Sequence, residues 1–220
     1  MPGATEGKTG FDFTFHARRL CADIAARLPE LTHIDVERVA FRFCQARSPA
    51  RHGTHATLTP LRFEQGALET ARAGRRWTIE RLYDGAGCEM LYLLSFYLPR
   101  FLNHSFPEKL ATVFHELWHI SPAFNGDLRR HPGRCYAHGD DGRAYDRQMN
   151  ELARHWLALA PPKETYEFLQ FDFAELKSRY GRVYGARIAN PKLVPLGSQV
   201  ADFNFATCRQ ASGPPPAPPA

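Results

Sequence analysis

The stretch "SFPEKLATVFHELWHI", residues 105–120, combines a helix start, an apolar stripe and two histidines one turn apart. Ser105 and Glu108 have the spacing of a capping box, and Pro107 falls in the first turn, where its missing N–H costs no hydrogen bond. Four apolar residues then follow at helical spacing: Leu110, Val113, Phe114 and Leu117. The stretch therefore predicts an amphipathic helix, which Pro122 prevents from extending further.

Residues 115–119 of this helix form an HExxH motif. Side chains four positions apart lie one above the other on a helix, so His115 and His119 can present two imidazoles to one Zn²⁺ ion. Glu116 can reach a water on that ion, accept its proton and pass it to a leaving amine. The motif therefore indicates zinc-dependent hydrolysis of a peptide bond. The alternative interpretation of the motif is that the two histidines lie on the surface of an ordinary helix.

A catalytic zinc ion has three protein ligands and one position open to water, so a third ligand must come from downstream. The metzincin spacing is excluded, because it needs glycine and histidine where this chain has Pro122 and Asn125. Two histidines remain, which spacing does not separate. His131 lies twelve residues beyond His119, and His138 lies nineteen beyond it.

Two other residues are weaker candidates for the third ligand. Glu151 could supply a carboxylate from a following helix, as in thermolysin-like enzymes, but an ordinary surface glutamate explains it better. Cys135 lies between the two histidines. If it joined three histidines, the site would be closed to water and structural rather than catalytic.

The segment "HELWHISPAFNGDLRRH" resembles the core of the phage metallopeptidase family, in which an HELxHI helix is followed by a glycine and an LR-x-H element. The similarity extends through residues 110–131 and, more loosely, to the flanking segments, about the middle third of the chain. The resemblance implies zinc-ligand roles for His115 and His119, a general-base role for Glu116, and His131 as the third ligand.

The chain is also similar, more broadly, to the SprT-like (Spartan-type) zinc proteases. In that group the third histidine precedes a glycine and opens the next helix, a pattern that His138 and Gly139 match. The chain departs from the pattern because no aromatic residue stands four positions after His138. The two resemblances imply different third ligands, so both histidines stay candidates.

Three residues near the motif could contact a substrate or stabilise an oxyanion: Arg130, Tyr136 and Tyr145. Arg130 lies in an arginine-rich loop, where solvation and local ion pairing are the competing explanation. Tyrosines near a helix start more often serve packing. The histidines at 52, 55 and 104 stand apart in the sequence and are predicted to be isolated.

The rest of the chain predicts a small sheet surrounded by helices. Apolar residues at helical spacing predict further helices over roughly 14–28, 142–159 and 164–180.

Alternating residues predict a strand at 39–43 and a weaker one at 54–63, which Pro60 confines to an edge or a bulge. The turn "DGAG" predicts a hairpin between 76–83 and 88–98, and the nearly all-apolar second strand should be central in its sheet.

Composition places the chain among globular proteins: 220 residues, of which 44% are apolar and 12% aromatic. Five scattered cysteines without a CxxC pair argue against a disulfide framework and favour a reducing compartment. The start of the sequence lacks the apolar run of a secretory signal, and the most apolar stretch, 90–98, is about half the length that spans a bilayer. We therefore expect a cytoplasmic protein without a membrane-spanning segment.

We expect a flexible N-terminus (1–10), a metallopeptidase domain (11–205) and a proline-rich disordered tail (206–220). The expected fold is α+β and zincin-like: a small mixed sheet, an HExxH active-site helix and additional packing helices. The expected cofactor is Zn²⁺ and the expected partner is a peptide or protein substrate.

Two other interpretations stay open. One is a non-catalytic zinc-binding module. The other is a nucleic-acid-associated protein, because the net charge of +5 and the basic stretch 179–192 permit weak contact with a polyanion.

Overall fold

The computed structural model describes residues 10–46, 53–130 and 142–196. Its α-helices are α1 (Phe13–Arg27), α2 (Phe106–Trp118), α3 (Gly142–Ala158), α4 (Lys163–Tyr166) and α5 (Phe173–Tyr180). Its strands are β1 (Phe11–Asp12), β2 (Val39–Gln45), β3 (Ala56–Pro60), β4 (Glu69–Arg72), β5 (Arg75–Ile79), β6 (Tyr92–Leu98), β7 (Val183–Tyr184) and β8 (Leu193–Pro195). This mixture of helices and short strands confirms the predicted α+β class. Residues 1–9 and the predicted tail at 206–220 lie outside the described residues.

Strand β6 is the centre of the main sheet, whose order is β2–β6–β3. It runs parallel to β2 and antiparallel to β3. Its sequence, YLLSFYL, is buried along almost its whole length, as expected for a strand that is covered on both faces. β3 lies at one edge of this sheet and ends at Pro60, which confirms the predicted edge position.

The predicted hairpin between 76–83 and 88–98 is wrong. Strand β5 pairs with β4 and β8 in a second sheet, whereas β6 pairs with β2 and β3. The turn itself forms, since the Asp84 carboxylate accepts hydrogen bonds from the N–H groups of Ala86 and Cys88, but only a single bridge, Tyr83–Glu89, follows it. β5 carries exposed arginines and lies outside the main sheet, whereas the mostly apolar β6 pairs with β2, whose first four residues are buried.

Aromatic rings fill the interface between helix α1 and the main sheet. The Phe13 ring meets the rings of Phe96 and Phe101 edge-on, with centroids 5.2 and 5.9 Å apart. Helix α3 also packs against α1: Trp156 of α3 is fully buried, and its indole N–H donates to Asp23 of α1 at 2.9 Å. These contacts hold α1 and α3 in one core with the sheet.

The helix predicted over 164–180 is interrupted. Helix α4 ends at Tyr166, a 3₁₀ turn spans Glu167–Gln170, and α5 starts after Asp172. The Asp172 carboxylate accepts from the N–H of Glu175, and the Glu175 carboxylate accepts from the N–H of Asp172, so this capping box starts a new helix. The other helices agree with their predictions to within one or two residues.

None of the helices in the described part of the chain is both long and apolar enough to cross a bilayer.

Candidate metal centre

Helix α2 carries the HExxH residues, and its start is fixed as predicted. The Glu108 carboxylate accepts hydrogen bonds from the N–H and the hydroxyl of Ser105, at 2.8 and 2.7 Å. One face of the helix is wholly buried: Leu110, Val113, Phe114 and Leu117. Lys109 adds a second anchor, because its buried ammonium donates to the carbonyls of Leu102 and Phe171, each at 2.8 Å. The orientation of the HExxH residues is therefore set by both packing and caps.

The two motif histidines lie against one another at the end of α2. The ring centroids of His115 and His119 are 4.7 Å apart, with the rings nearly perpendicular. A zinc ion lies about 2 Å from a ligating imidazole nitrogen, and hence roughly 3 Å from that ring's centre. Two rings at this separation can therefore reach one ion. Imidazole nitrogens are also the donors that zinc prefers in catalytic sites, so these residues fit the ion.

The Glu116 side chain is buried, only 7% exposed, next to the edge strand. Burial raises the pKa of Glu116 to about 7, and a hydrogen bond from the backbone N–H of Leu58 opposes this in part. The sequence motif predicts a carboxylate beside the two histidines but does not predict its contact with β3. That contact joins residues 58 positions apart in the chain.

Tyr145, at the start of α3, closes the site from the other side. Its ring centroid is 4.9 Å from that of His115 and 6.0 Å from that of His119, and its hydroxyl lies 3.4 Å from the His115 carbonyl oxygen. Burial, and then the nearby Glu116, raise the pKa of Tyr145, so the hydroxyl keeps its proton. Of the three predicted substrate contacts, this one lies next to both histidines.

The chain after α2 folds back onto the helix end. The N–H of Arg129 donates to the His119 carbonyl at 2.7 Å, and its guanidinium donates to the Trp118 carbonyl at 2.8 Å. The same guanidinium lies 4.0 Å above the Trp118 ring. Arg129, in the arginine-rich loop, therefore holds the backbone that carries His119.

Arg130, by contrast, is engaged with loop carboxylates. Its guanidinium donates to both oxygens of Asp127, at 3.0 and 3.1 Å, and lies 3.7 Å from Glu64. Asp127 also accepts from the N–H groups of Gln65 and Leu128. This arrangement supports the loop-stabilising interpretation of Arg130.

His131, His138, Cys135 and Tyr136 all lie outside the described residues. Within the residues that the structure describes, no three side chains of ligand type converge on one point. Glu151, the weaker alternative, is exposed on α3 and lies 4.0 Å from Arg154, as expected for a surface glutamate.

A groove of about 610 Å³ runs along α2 between strand β3 and helix α3. Its floor is a stripe of α2 that leads to the motif: Glu108, Ala111, Thr112, His115 and Glu116. Ala56 lines it from the edge strand, and Asp146 and Asn150 line it from α3. The dimensions are those of a ligand cleft, and His115 and Glu116 of the motif line it.

The prediction that His55 and His104 are isolated is wrong. Their Nε2 atoms are 2.9 Å apart at the other end of this groove, and the Nδ1 atom of His104 is 3.5 Å from a Glu108 oxygen. The two histidines are 49 residues apart in the chain. Only the tertiary fold brings them together.

In comparisons with known proteins, no protein-family model, curated protein or solved structure matches the chain.

Proposed function

We propose that this chain is a zinc-dependent peptidase with a zincin-like arrangement, in which Glu116 is the general base. The observation that carries the proposal is the packing of His115 against His119, with the buried Glu116 of the same helical turn lining one groove together with His115. A ligand groove leads to this point between an edge strand and a helix. The similarity of the 115–131 segment to the phage metallopeptidase family agrees with this proposal.

His115 and His119 would hold the ion as neutral imidazoles, with His131 or His138 as the third ligand. Zinc bound there would supply a Lewis acid for the scissile carbonyl and would lower the pKa of a coordinated water. Glu116 would accept the proton of the attacking water and deliver it to the leaving amine. Burial of Glu116 keeps bulk water away from this transfer.

Tyr145 would contribute to the same step as a hydrogen-bond donor. Its ring lies beside both histidines and its hydroxyl stays protonated, so it would be available where the negative charge of a tetrahedral intermediate develops. The substrate would be an extended peptide segment, because the groove runs beside β3, a strand at the edge of the main sheet, and an edge strand offers main-chain groups for pairing with such a segment.

Substitution of the general base tests the proposal. We expect Glu116→Gln to keep the fold and bound zinc but to hydrolyse a dye-labelled unfolded protein about 10²- to 10⁴-fold more slowly. Glu151→Gln is the matched control, since it removes an exposed glutamate that lies outside the groove. It should leave the rate unchanged.

Full activity in Glu116→Gln would contradict the assigned role. If wild-type protein binds zinc through four protein ligands and hydrolyses nothing, the site is a structural one. X-ray absorption on the zinc-loaded protein measures the coordination that separates these two cases.

A further inference from the structure

The second sheet, β4–β5–β8, presents one face that the proposed peptidase does not use. Strands β4 and β5 form a hairpin whose turn, Ala73–Gly74, has positive φ at both positions, 50° and 71°. Cross-strand partners point to the same side of a sheet. The register pairs Thr70 with Trp77 and Arg72 with Arg75. These four residues therefore share one face.

Trp77 differs from the other two tryptophans of the chain. Trp118 and Trp156 are 9% and 0% exposed, whereas Trp77 is only half-buried. It lines a shallow cavity of about 210 Å³ together with Thr70, Arg72, Ala73 and Leu193. Leu193, from β8, is 51% exposed. A large aromatic surface is thus open to a flat ligand, in a cavity that shares no residue with the groove.

The positive charge on this face is not compensated within the described residues. Arg72 and Arg75 are both exposed, and neither forms an ion pair with any residue that the structure describes. Arg76 points to the opposite face, where it pairs with Glu69. The hairpin therefore has one face with two available cations beside an aromatic ring, and one face whose arginine is neutralised.

The basic stretch at 179–192, which the sequence suggested for contact with a polyanion, is less available for such contact than the β4–β5 hairpin. Three of its arginines lie over aromatic rings of the protein itself. Arg179 is 4.0 Å from the centre of the Phe171 ring, Arg182 is 5.0 Å from that of Tyr184, and Arg187 is 5.9 Å from that of Phe43. Such packing favours a role of these cations in holding the segment against the fold.

We infer that the Trp77 face of the β4–β5 hairpin binds single-stranded nucleic acid. A base stacks on the Trp77 indole, and Arg72 and Arg75 pair with the flanking phosphates. Bases inside a duplex are already stacked on both sides, so a ring platform favours unpaired strands. Acidic peptides would use the arginines alone and gain nothing from the ring, which makes them a weaker match.

The test uses the full chain and a fluorescein-labelled (dT)15 oligonucleotide, with binding followed by anisotropy at several salt concentrations. We expect Trp77→Ala to weaken binding about 5- to 100-fold. Arg72→Gln and Arg75→Gln should each weaken it and reduce the magnitude of the salt slope, d log K/d log[salt], by about 0.7. Binding should also quench tryptophan fluorescence in wild type but not in Trp77→Phe.

Arg76→Gln is the matched control, because it removes the same charge from the same hairpin on the opposite face. It should change affinity less than twofold. Equal losses in Arg76→Gln and Arg75→Gln would overturn the inference, as would equal affinity for a (dT)15·(dA)15 duplex or for a polyglutamate peptide. If Trp77→Ala fails to fold by circular dichroism, the arginine pair still decides the outcome. The peptidase assay is independent of this result.

Discussion

Two glutamates of helix α2, eight residues apart, lie in opposite environments. Glu108 is exposed at the helix start, and its hydrogen bonds from the hydroxyl and then the N–H of Ser105 lower its pKa to about 2. Glu116 is buried at the helix end, where loss of solvent raises its pKa to about 7. The same type of side chain is thus an anion that caps a helix in one place and a group that binds a proton near neutral pH in the other. Their surroundings, rather than residue type, determine these roles.

After the loss expected for Glu116→Gln, the largest effect is expected at Tyr145, which lies beside the buried end of the helix. Tyr145→Phe keeps the ring beside the two histidines but removes the hydroxyl that lies 3.4 Å from the His115 carbonyl. We expect kcat for peptide hydrolysis to fall about 100-fold with KM little changed, since the donor would act on the oxyanion and not on the bound substrate. Steady-state kinetics measure this. A larger change in KM than in kcat would make Tyr145 a binding residue instead.

The second prediction uses the metal-free protein and compares wild type with Glu116→Gln. Because the pKa of Glu116 in the folded protein, about 7, lies above the ordinary value of 4.5, the folded state binds the proton more tightly. Its contribution to stability is therefore complete below pH 4.5 and is lost as pH rises towards 7. Relative to the variant, wild type should lose about 2–3 kcal/mol of unfolding free energy over this window. Urea unfolding at a series of pH values measures it.

The third prediction concerns the exposed start of helix α2. Ser105→Ala removes the hydroxyl that donates to Glu108, and should reduce the unfolding free energy by about 0.5–2 kcal/mol. The pKa of Glu108 should also rise towards 4.5, because its main stabilising donor is gone. NMR titration of the Glu108 carboxyl reports this shift. An unchanged pKa would mean that the cap does not set the charge of Glu108.

The smallest effect is a pH dependence of opposite sign at Glu108. Its lowered pKa means that the stability it contributes is present above pH 4.5 and is lost as pH falls towards 2. Glu108→Gln should therefore lose stability relative to wild type above pH 4.5 and match it at pH 2. The difference should be small, because the side chain is 61% exposed and solvent screens its interactions.

Sequence reasoning predicted the features of this helix that depend on neighbouring residues. The capping box, the apolar stripe and the one-turn spacing of the histidines are all local, and all are present. The edge position of β3 followed from Pro60 alone, and the central position of β6 followed from its nearly all-apolar sequence.

The features that sequence reasoning missed depend on distant partners. β5 pairs with β4 and β8 rather than with β6. This pairing depends on the strands that the fold brings together, and the local turn sequence does not determine it. The His55–His104 contact and the hydrogen bond from Leu58 to Glu116 join segments that only the tertiary fold brings together. Spacing also left the third ligand undecided between His131 and His138, which lie outside the described residues.

Zinc content tests the central claim most directly. After incubation with zinc and removal of the excess, wild type and Glu116→Gln should each hold one zinc ion per chain by elemental analysis, whereas His115→Ala and His119→Ala should hold none. His155→Ala, a histidine at the far end of α3, is the control and should keep the ion. Wild-type protein without zinc, or a full equivalent in both His115→Ala and His119→Ala, would contradict the proposed centre.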